Sequence, residues 1–236
     1  MSNVYVRGDL HCQFRCLKDF CKKMNTSVED TLILLGDVGI NLYGDSRDEG
    51  NKKFLSKLPI TLFCIRGNHE ARPSEFNCYT RVYVPRFACF CWWDNHYPNI
   101  YFPEDGACYI EGNRCLVAGG AYSVDKFYRL ARGWYWNPQE QMTEKEKQSI
   151  LNLVQMTPKF DYVFSHTAPL RFEPTFMFLS GIDQSKVDKS MENFLDEVYE
   201  RIDKSMLKTW FFGHYHSNHT FNEKVKMLFD GYDVLK

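Results

Sequence analysis

No stretch of this 236-residue chain is apolar for long enough to cross a membrane, and its start, MSNVYVRGD, lacks the basic region and apolar core of an export signal. Neither sign of charge dominates: 29 Lys and Arg stand against 30 Asp and Glu, a formal net charge of −1. That balance argues against a surface built for long nucleic acids or for membranes, so neither is expected as the principal partner. The nine cysteines include no CxxC pair, which removes the ligand spacing of a zinc finger. Without an export signal they are expected as reduced thiols of a cytoplasmic protein, most of them packed as small apolar groups. The sequons NTS and NHT carry no weight in that compartment. No repeat, low-complexity tract or linker interrupts the chain, so a single domain over 1–236 is expected.

What is present is an alternation. Short runs rich in β-branched and aromatic residues each lead into polar residues: VYV into RGDLH, TLILL into GDVG, ITLFCI into RGNHE, YVF into SHTAP, and TWFF into GHYH. Such runs read as strands buried on both faces. Helical stretches lie between the early ones, Phe14 to Asn25 and Asp48 to Leu58, which predicts an α/β sheet core. Thr143 and Glu146 form a capping-box pattern opening a helix to about Met156, and a further helix is expected over about Asp188 to Lys204. ACYIEGNRCLVAGGAYS reads as a hairpin turning at Gly112–Asn113, and KVKMLFDGYDVL as a last strand pair.

The polar strand ends hold Asp9, His11, Asp37, Asn68, His69, His166, His214 and His216. Open α/β sheets bind ligands at the carboxyl ends of their strands, where these residues would gather. In GHYH, His214 and His216 would share one face if strand geometry persisted. Imidazole, carboxylate and amide oxygen without thiolate suit Mn²⁺, Fe or Zn²⁺. So many candidates exceed the needs of one ion, whereas two ions about 3.5–4 Å apart and bridged by a carboxylate would use them. Asp9 and Asp37 would leave such a pair with excess positive charge, enough for a hydroxide and an anionic substrate such as a phosphate ester.

Taken in order, GDLH, GD, GNHE, a later lone His and GHYH resemble the motif series of the calcineurin-like metallophosphoesterases. The resemblance runs from Asp9 to His216, and GGAYSVDKFYRLARGWYW is further similar to small bacterial and phage-borne members. It implies a four-layer αββα sandwich with a dinuclear site at the C-terminal ends of the strands. It implies that Asp9, His11 and His216 hold one divalent ion, that Asn68, His166 and His214 hold the other, and that Asp37 bridges them. Mn²⁺ is expected first, with Fe, Zn²⁺ or Mg²⁺ also accommodated. His69 would bind no metal and would protonate the leaving-group oxygen while a metal-bound hydroxide attacks phosphorus in line. The implied activity is hydrolysis of a phosphomonoester or phosphodiester, on a phosphorylated small molecule, nucleotide or protein. A nucleotide phosphodiesterase or nuclease is the alternative enzyme. A binding module of this fold without catalysis is the other alternative, and the presence of His69 beside all seven ligand positions argues against it.

The chain departs from the phosphoprotein phosphatase branch of that family at GDVGINLYG, where Ile40 and Asn41 stand in place of an Asp and an Arg. The missing Asp would orient the catalytic His, and no residue of the sequence is assigned that task. Cys108 and Arg114 fit C-x₅-R but lack the glycine-rich loop of a cysteine phosphatase. His96 and His219 read as solvated loop residues. The aromatic stretch 79–99 reads as an insertion with its own small core, against an alternative in which Trp92 and Trp93 stack a nucleobase and Arg81 and Arg86 meet phosphates. Tyr122, Lys126, Arg129 and Arg132 fall at helical spacings and would either border the phosphate site or form a solvated face.

Overall fold

Strands buried on both faces cannot stand alone, and here they assemble into two sheets. The computed structural model describes residues 2–236 apart from 134, 135, 179 and 182, so Trp134 and Tyr135 of the GGAYSVDKFYRLARGWYW stretch lie outside the described residues. The strands are β1 (Val4–Arg7), β2 (Thr31–Leu34), β3 (Thr61–Cys64), β4 (Thr80–Val84), β5 (Cys89–Trp93), β6 (Ile100–Pro103), β7 (Gly106–Ile110), β8 (Asn113–Ala118), β9 (Tyr162–Ser165), β10 (Thr209–Phe212), β11 (His219–Asn222), β12 (Val225–Met227) and β13 (Tyr232–Val234). The helices are α1 (Arg15–Met24), α2 (Ser46–Leu55), α3 (Lys126–Ala131), α4 (Glu144–Met156) and α5 (Ser190–Arg201). One sheet runs β13-β1-β2-β3-β6-β5-β4 and the other β11-β12-β10-β9-β8-β7. Their central strands are parallel: β1, β2, β3 and β6 in the first, β8, β9, β10 and β12 in the second.

The period of two along each strand divides its side chains between two cores. Leu32 and Leu34 pack with Leu17, Phe20 and Leu55 of α1 and α2. Ile33 between them turns the other way, into a core where Val6 and Phe63 of the first sheet meet Val117, Phe164 and Phe211 of the second. On the far side, Val163, Trp210 and Phe212 pack with Ile150 and Val154 of α4 and Leu195 and Val198 of α5. The molecule is a mixed α/β fold in which two sheets face each other and helices cover their outer faces. Among the described residues, no helix is long and apolar enough to cross a membrane. All nine cysteines are free.

Local signals mostly hold, with instructive displacements. The Thr143–Glu146 capping box forms as expected, with both reciprocal hydrogen bonds. α2 starts at Ser46 because the Asp45 side chain accepts from the Arg47 N–H, and it stops at Leu55 ahead of Pro59. The hairpin turns at Glu111–Gly112, one residue earlier than expected, where φ values of 48° and 78° suit a two-residue turn with both residues left-handed. The tail is not a strand pair: β12 joins β10 and β11, whereas β13 crosses to the other sheet and pairs with β1. The aromatic stretch builds no core of its own. β4 and β5 extend the first sheet beyond β6, and Trp92 packs against the core beneath α1 and α2. Arg81 pairs with Glu104 and Arg86 with Thr31, Thr61 and neighbouring carbonyls, so both guanidinium groups are occupied within the protein.

One charge is buried in this frame without full compensation. Glu192 of α5 is 4% exposed; its Oε1 accepts from Thr167 Oγ1 at 2.7 Å, and its Oε2 has no partner among the described residues. Burial raises its pKa from 4.5 to about 7. Between those values the folded protein binds more proton than the unfolded chain, so this contribution is fully present below about pH 4.5 and is lost as pH rises through about 7. Glu192→Gln carries no charge at any pH. Relative to the wild type it should therefore gain stability between pH 4.5 and 8, by on the order of 2–3 kcal/mol. Urea unfolding of both proteins across that range checks this, and a pH-independent difference would contradict it.

Candidate metal centre

The sheets bring their motif residues together at one edge. Asp9, Asp37, and Asn68 with His69 follow β1, β2 and β3 of the first sheet; His166, and His214 with His216, follow β9 and β10 of the second. The chain must turn sharply there, and four of these residues hold left-handed backbone: His11 at φ 44°, Asp37 at 48°, His214 at 68° and His216 at 51°. Non-glycine residues persist in that region only where their surroundings enforce it, which is common at functional sites. Two motif glycines answer a different need. A Cβ on Gly67 would lie 2.0 Å from Asp37 Oδ1, and one on Gly213 would lie 2.4 Å from Asp9 Oδ1. The carboxylates rest directly on bare backbone.

Two groups of potential ligand atoms converge, Asp9–His11–His216 and Asp9–Asp37–His166, with all atoms of each group within 4.8 Å of one another. In the first, Asp9 Oδ2 lies 3.6 Å from His11 Nε2 and 3.3 Å from His216 Nε2. The two Nε2 atoms are themselves 2.8 Å apart, so only one proton fits between them. Asp9 Oδ2 is buried and has no hydrogen-bond partner among the described residues. In the second, His166 Nδ1 donates to the Leu35 carbonyl at 2.6 Å, which leaves Nε2 bare in the neutral ring. That bare nitrogen faces Asn68 Oδ1 at 2.8 Å, while Asn68 Nδ2 donates to Ser123 Oγ at 2.8 Å. Lone pairs facing one another in both places fit a cation. His214 sets its ring 5.0 Å from that of His166, centroid to centroid, and its nitrogens lie outside both groups.

Electrostatics agree with this geometry. Burial alone would raise the pKa of Asp9, but the adjacent imidazoles of His11 and His216 outweigh it and hold the carboxyl below its ordinary range. Asp37 is likewise held down, with His166 and His69 opposing its burial. Burial pushes His214 down to about 3, helped by the neighbouring His166, so its ring is neutral with a lone pair to offer. His69 is lowered chiefly by burial; Asp37 opposes the shift and Arg129 adds to it.

His69 stands beside both groups, its Nε2 3.8 Å from Asp37 Oδ2 and its backbone N–H donating to Asp37 Oδ1 at 2.9 Å. The buried guanidinium of Arg129, from α3, donates to His69 Nδ1. This is the orienting group that the sequence left unassigned, and it belongs to the series read as either site border or solvated face. Tyr122 lines the cavity beside the site, whereas Lys126 sits over the Trp136 ring at 4.0 Å and Arg132 over the Tyr128 ring at 4.5 Å. Ile40 and Asn41 have structural roles: Ile40 is fully buried, and Asn41 Oδ1 accepts from the Tyr79 hydroxyl at 2.8 Å. Glu70 of GNHE holds the GDVG loop through the N–H groups of Gly39 and Ile40, at 2.7 and 3.3 Å.

The remaining candidates lie elsewhere. Cys108 is buried opposite Cys115 in the β7–β8 hairpin, and Arg114 covers the Phe160 ring, so they form no anion site. His96 lies in an exposed turn, as expected, where it pairs with Asp94 at 2.8 Å. His219 belongs to strand β11, not to a loop, and its ring meets those of Phe176 and Phe221. A cavity of about 320 Å³ opens over Asp37, Asn68, His69, His214 and His216.

Comparison with known proteins accords with this arrangement. The chain matches the model of the calcineurin-like phosphoesterases over residues 2–218. No curated protein matches it. Among solved structures it is similar to a protein of unknown function from Aquifex aeolicus, 13% identical, with 71% of this chain and 81% of that one covered; the TM-score of 0.34 is too low to carry an argument. With the motif residues gathered at one edge of two facing sheets, and a family match over nearly its whole length, the chain belongs to the calcineurin-like phosphoesterases.

Proposed function

We propose that this protein hydrolyses a phosphomonoester or phosphodiester with two divalent ions, Mn²⁺ first among them. Asp9, His11 and His216 would hold one ion, Asn68, His166 and His214 the other, and Asp37 would lie between. When bound, such ions neutralise the charge of a phosphate ester and activate water as its nucleophile. The observation that carries this reading is the position of Asp37 Oδ2, 3.9 Å from His11 Nε2 on one side and 3.7 Å from His166 Nε2 on the other. A carboxylate oxygen between two sets of imidazole lone pairs suits a bridge.

His69 would supply the proton. Because Arg129 donates to its Nδ1, the neutral ring carries its hydrogen on Nε2, the nitrogen that faces Asp37 and the cavity. That hydrogen is available to the oxygen of a departing group. Arg129 fixes the ring plane from behind, the part that a carboxylate plays in many catalytic histidine pairs.

Two experiments separate these roles. Asp37→Asn should lower the content of both ions, whereas His11→Ala should chiefly lower one; elemental analysis of Mn²⁺-loaded protein after gel filtration reads both. Retention of two ions by Asp37→Asn would remove Asp37 from the bridge. His69→Asn should keep its metal content. It should cost little with nitrophenyl esters, whose leaving group has a pKa near ~7, and ~10²–10⁴-fold with alkyl esters, whose alkoxide of pKa ~15 needs the proton. Equal losses on both substrates would instead assign His69 to the phosphoryl oxygens.

A further inference from the structure

A second cavity, of about 380 Å³, lies apart from the metal centre, and none of the motif residues proposed as metal ligands lines it. It opens where the loop after β3 meets β5, the end of β6 and the side of α4. Trp92 and Phe102 are paired neighbours on β5 and β6, and with Pro103 and Ile150 they give it apolar walls. The Tyr79 ring stands against Phe102 at 5.2 Å, and its hydroxyl donates to Asn41 Oδ1 at 2.8 Å. Asn41, 3% exposed, thereby joins the same lining from the loop after β2.

The charges around this cavity are already matched. Arg66 pairs with Asp105, Arg72 with Glu146, and Arg81 with Glu104. Both oxygens of Asp105 are taken, Oδ1 by the Gly119 N–H at 2.6 Å and Oδ2 by Arg66 at 3.2 Å. A charged ligand would give up its water here without gaining an unpaired opposite charge. What is left over is donors. The Asn41 oxygen is spent on Tyr79, but its Nδ2 hydrogens meet no acceptor among the described residues. The indole N–H of Trp92, a half-buried residue, meets none there either. Unlike Glu192 Oε2, neither nitrogen is sealed from solvent. Water serves such hydrogens when nothing else does, and a ligand oxygen would take its place.

We propose that this cavity is a second ligand site, for a small neutral molecule with a flat apolar ring and a carbonyl oxygen. The ring would lie against Trp92 and Phe102, and the carbonyl would accept the free hydrogens of Asn41 and the Trp92 indole. A volume of about 380 Å³ is at the lower end of small-molecule sites, apolar in its walls and polar at a few points, as such sites are. The occupant is not the ester being cleaved, because no proposed metal ligand lines the cavity. The site therefore stands or falls independently of the hydrolase reading.

The test uses three probes: coumarin, flat and neutral with a carbonyl; 2,3-dihydrobenzofuran, which lacks the carbonyl; and coumarin-3-carboxylate, which adds a charge. Binding of each to the full chain in Mg²⁺ is followed by ligand-observed NMR. Coumarin should bind with a Kd below about 10 mM and ~5-fold or more tightly than dihydrobenzofuran, the scale of one to two neutral hydrogen bonds. The carboxylate should bind no more tightly than coumarin. Trp92→Phe keeps an aromatic wall but removes the N–H, and should reduce the preference for coumarin by at least ~2-fold. Ser149→Trp, on the exposed side of α4, puts a large ring into the lining and should abolish binding. Circular-dichroism melting establishes that each variant is folded, and the exposed Ser149 keeps the test open if Trp92→Phe does not fold. No binding of coumarin up to about 10 mM, or equal binding of coumarin and dihydrobenzofuran, would overturn the proposal. So would tighter binding of the carboxylate, a preference unchanged in folded Trp92→Phe, or undiminished binding in folded Ser149→Trp.

Discussion

Each of the two buried aspartates divides its carboxylate. Asp9 Oδ1 accepts the backbone N–H of His214 at 2.9 Å, and Asp37 Oδ1 accepts that of His69 at 2.9 Å. One oxygen of each thus fastens a neighbouring motif loop, and the other is left toward the imidazoles. The Asp9 bond reaches from the first sheet to the second, so it sets the spacing between the two halves of the site. Most of what surrounds it follows: the glycines without Cβ, the left-handed turns, and the sheet–sheet core that holds the strands close enough for one side chain to span them. A longer carboxylate would move the free oxygen away from His11 and His216 even if it reached the same N–H.

The strands and the polar residues that end them were legible because both signals are local. A run such as TLILL declares burial on two faces, and a Gly–Asp or Gly–Asn pair after it declares a sharp turn. What could not be read was which strand lies beside which. β12 and β13 are close in sequence and look like a hairpin, yet they belong to different sheets. The stretch 79–99 has the composition of a small core and is instead the edge of a large one, because aromatic content reports burial but not the partner. The motif histidines were legible as a set, whereas their supports were not. Ser123, the Leu35 carbonyl and Arg129 are ordinary residues whose roles depend on positions far away in sequence.

The departure at Ile40 and Asn41 has a physical sense in this frame. Where an Asp and an Arg would need charge around them, this chain buries an isoleucine and hydrogen-bonds an asparagine to Tyr79. The loop is then held from beneath by Glu70, whose carboxyl burial raises to about 8. Orientation of His69 passes to α3, a short helix after β8 in the second sheet. The histidine is therefore gripped from both halves of the molecule, by Asp37 from one and Arg129 from the other.

The distance along the chain between partners has a kinetic meaning. His11 and His216, whose ring nitrogens are 2.8 Å apart, are separated by 205 positions, as are Asp9 and His214. Contacts of such separation form late, since their loop-closure entropy is met only after local structure exists. A folding intermediate with only the first sheet in place would hold Asp9, His11, Asp37, Asn68 and His69 but none of the imidazoles that complete the two groups. It could present carboxylates to passing ions yet could not enclose them. Assembly of the site therefore waits on the second sheet, and the two groups close only once the fold is complete.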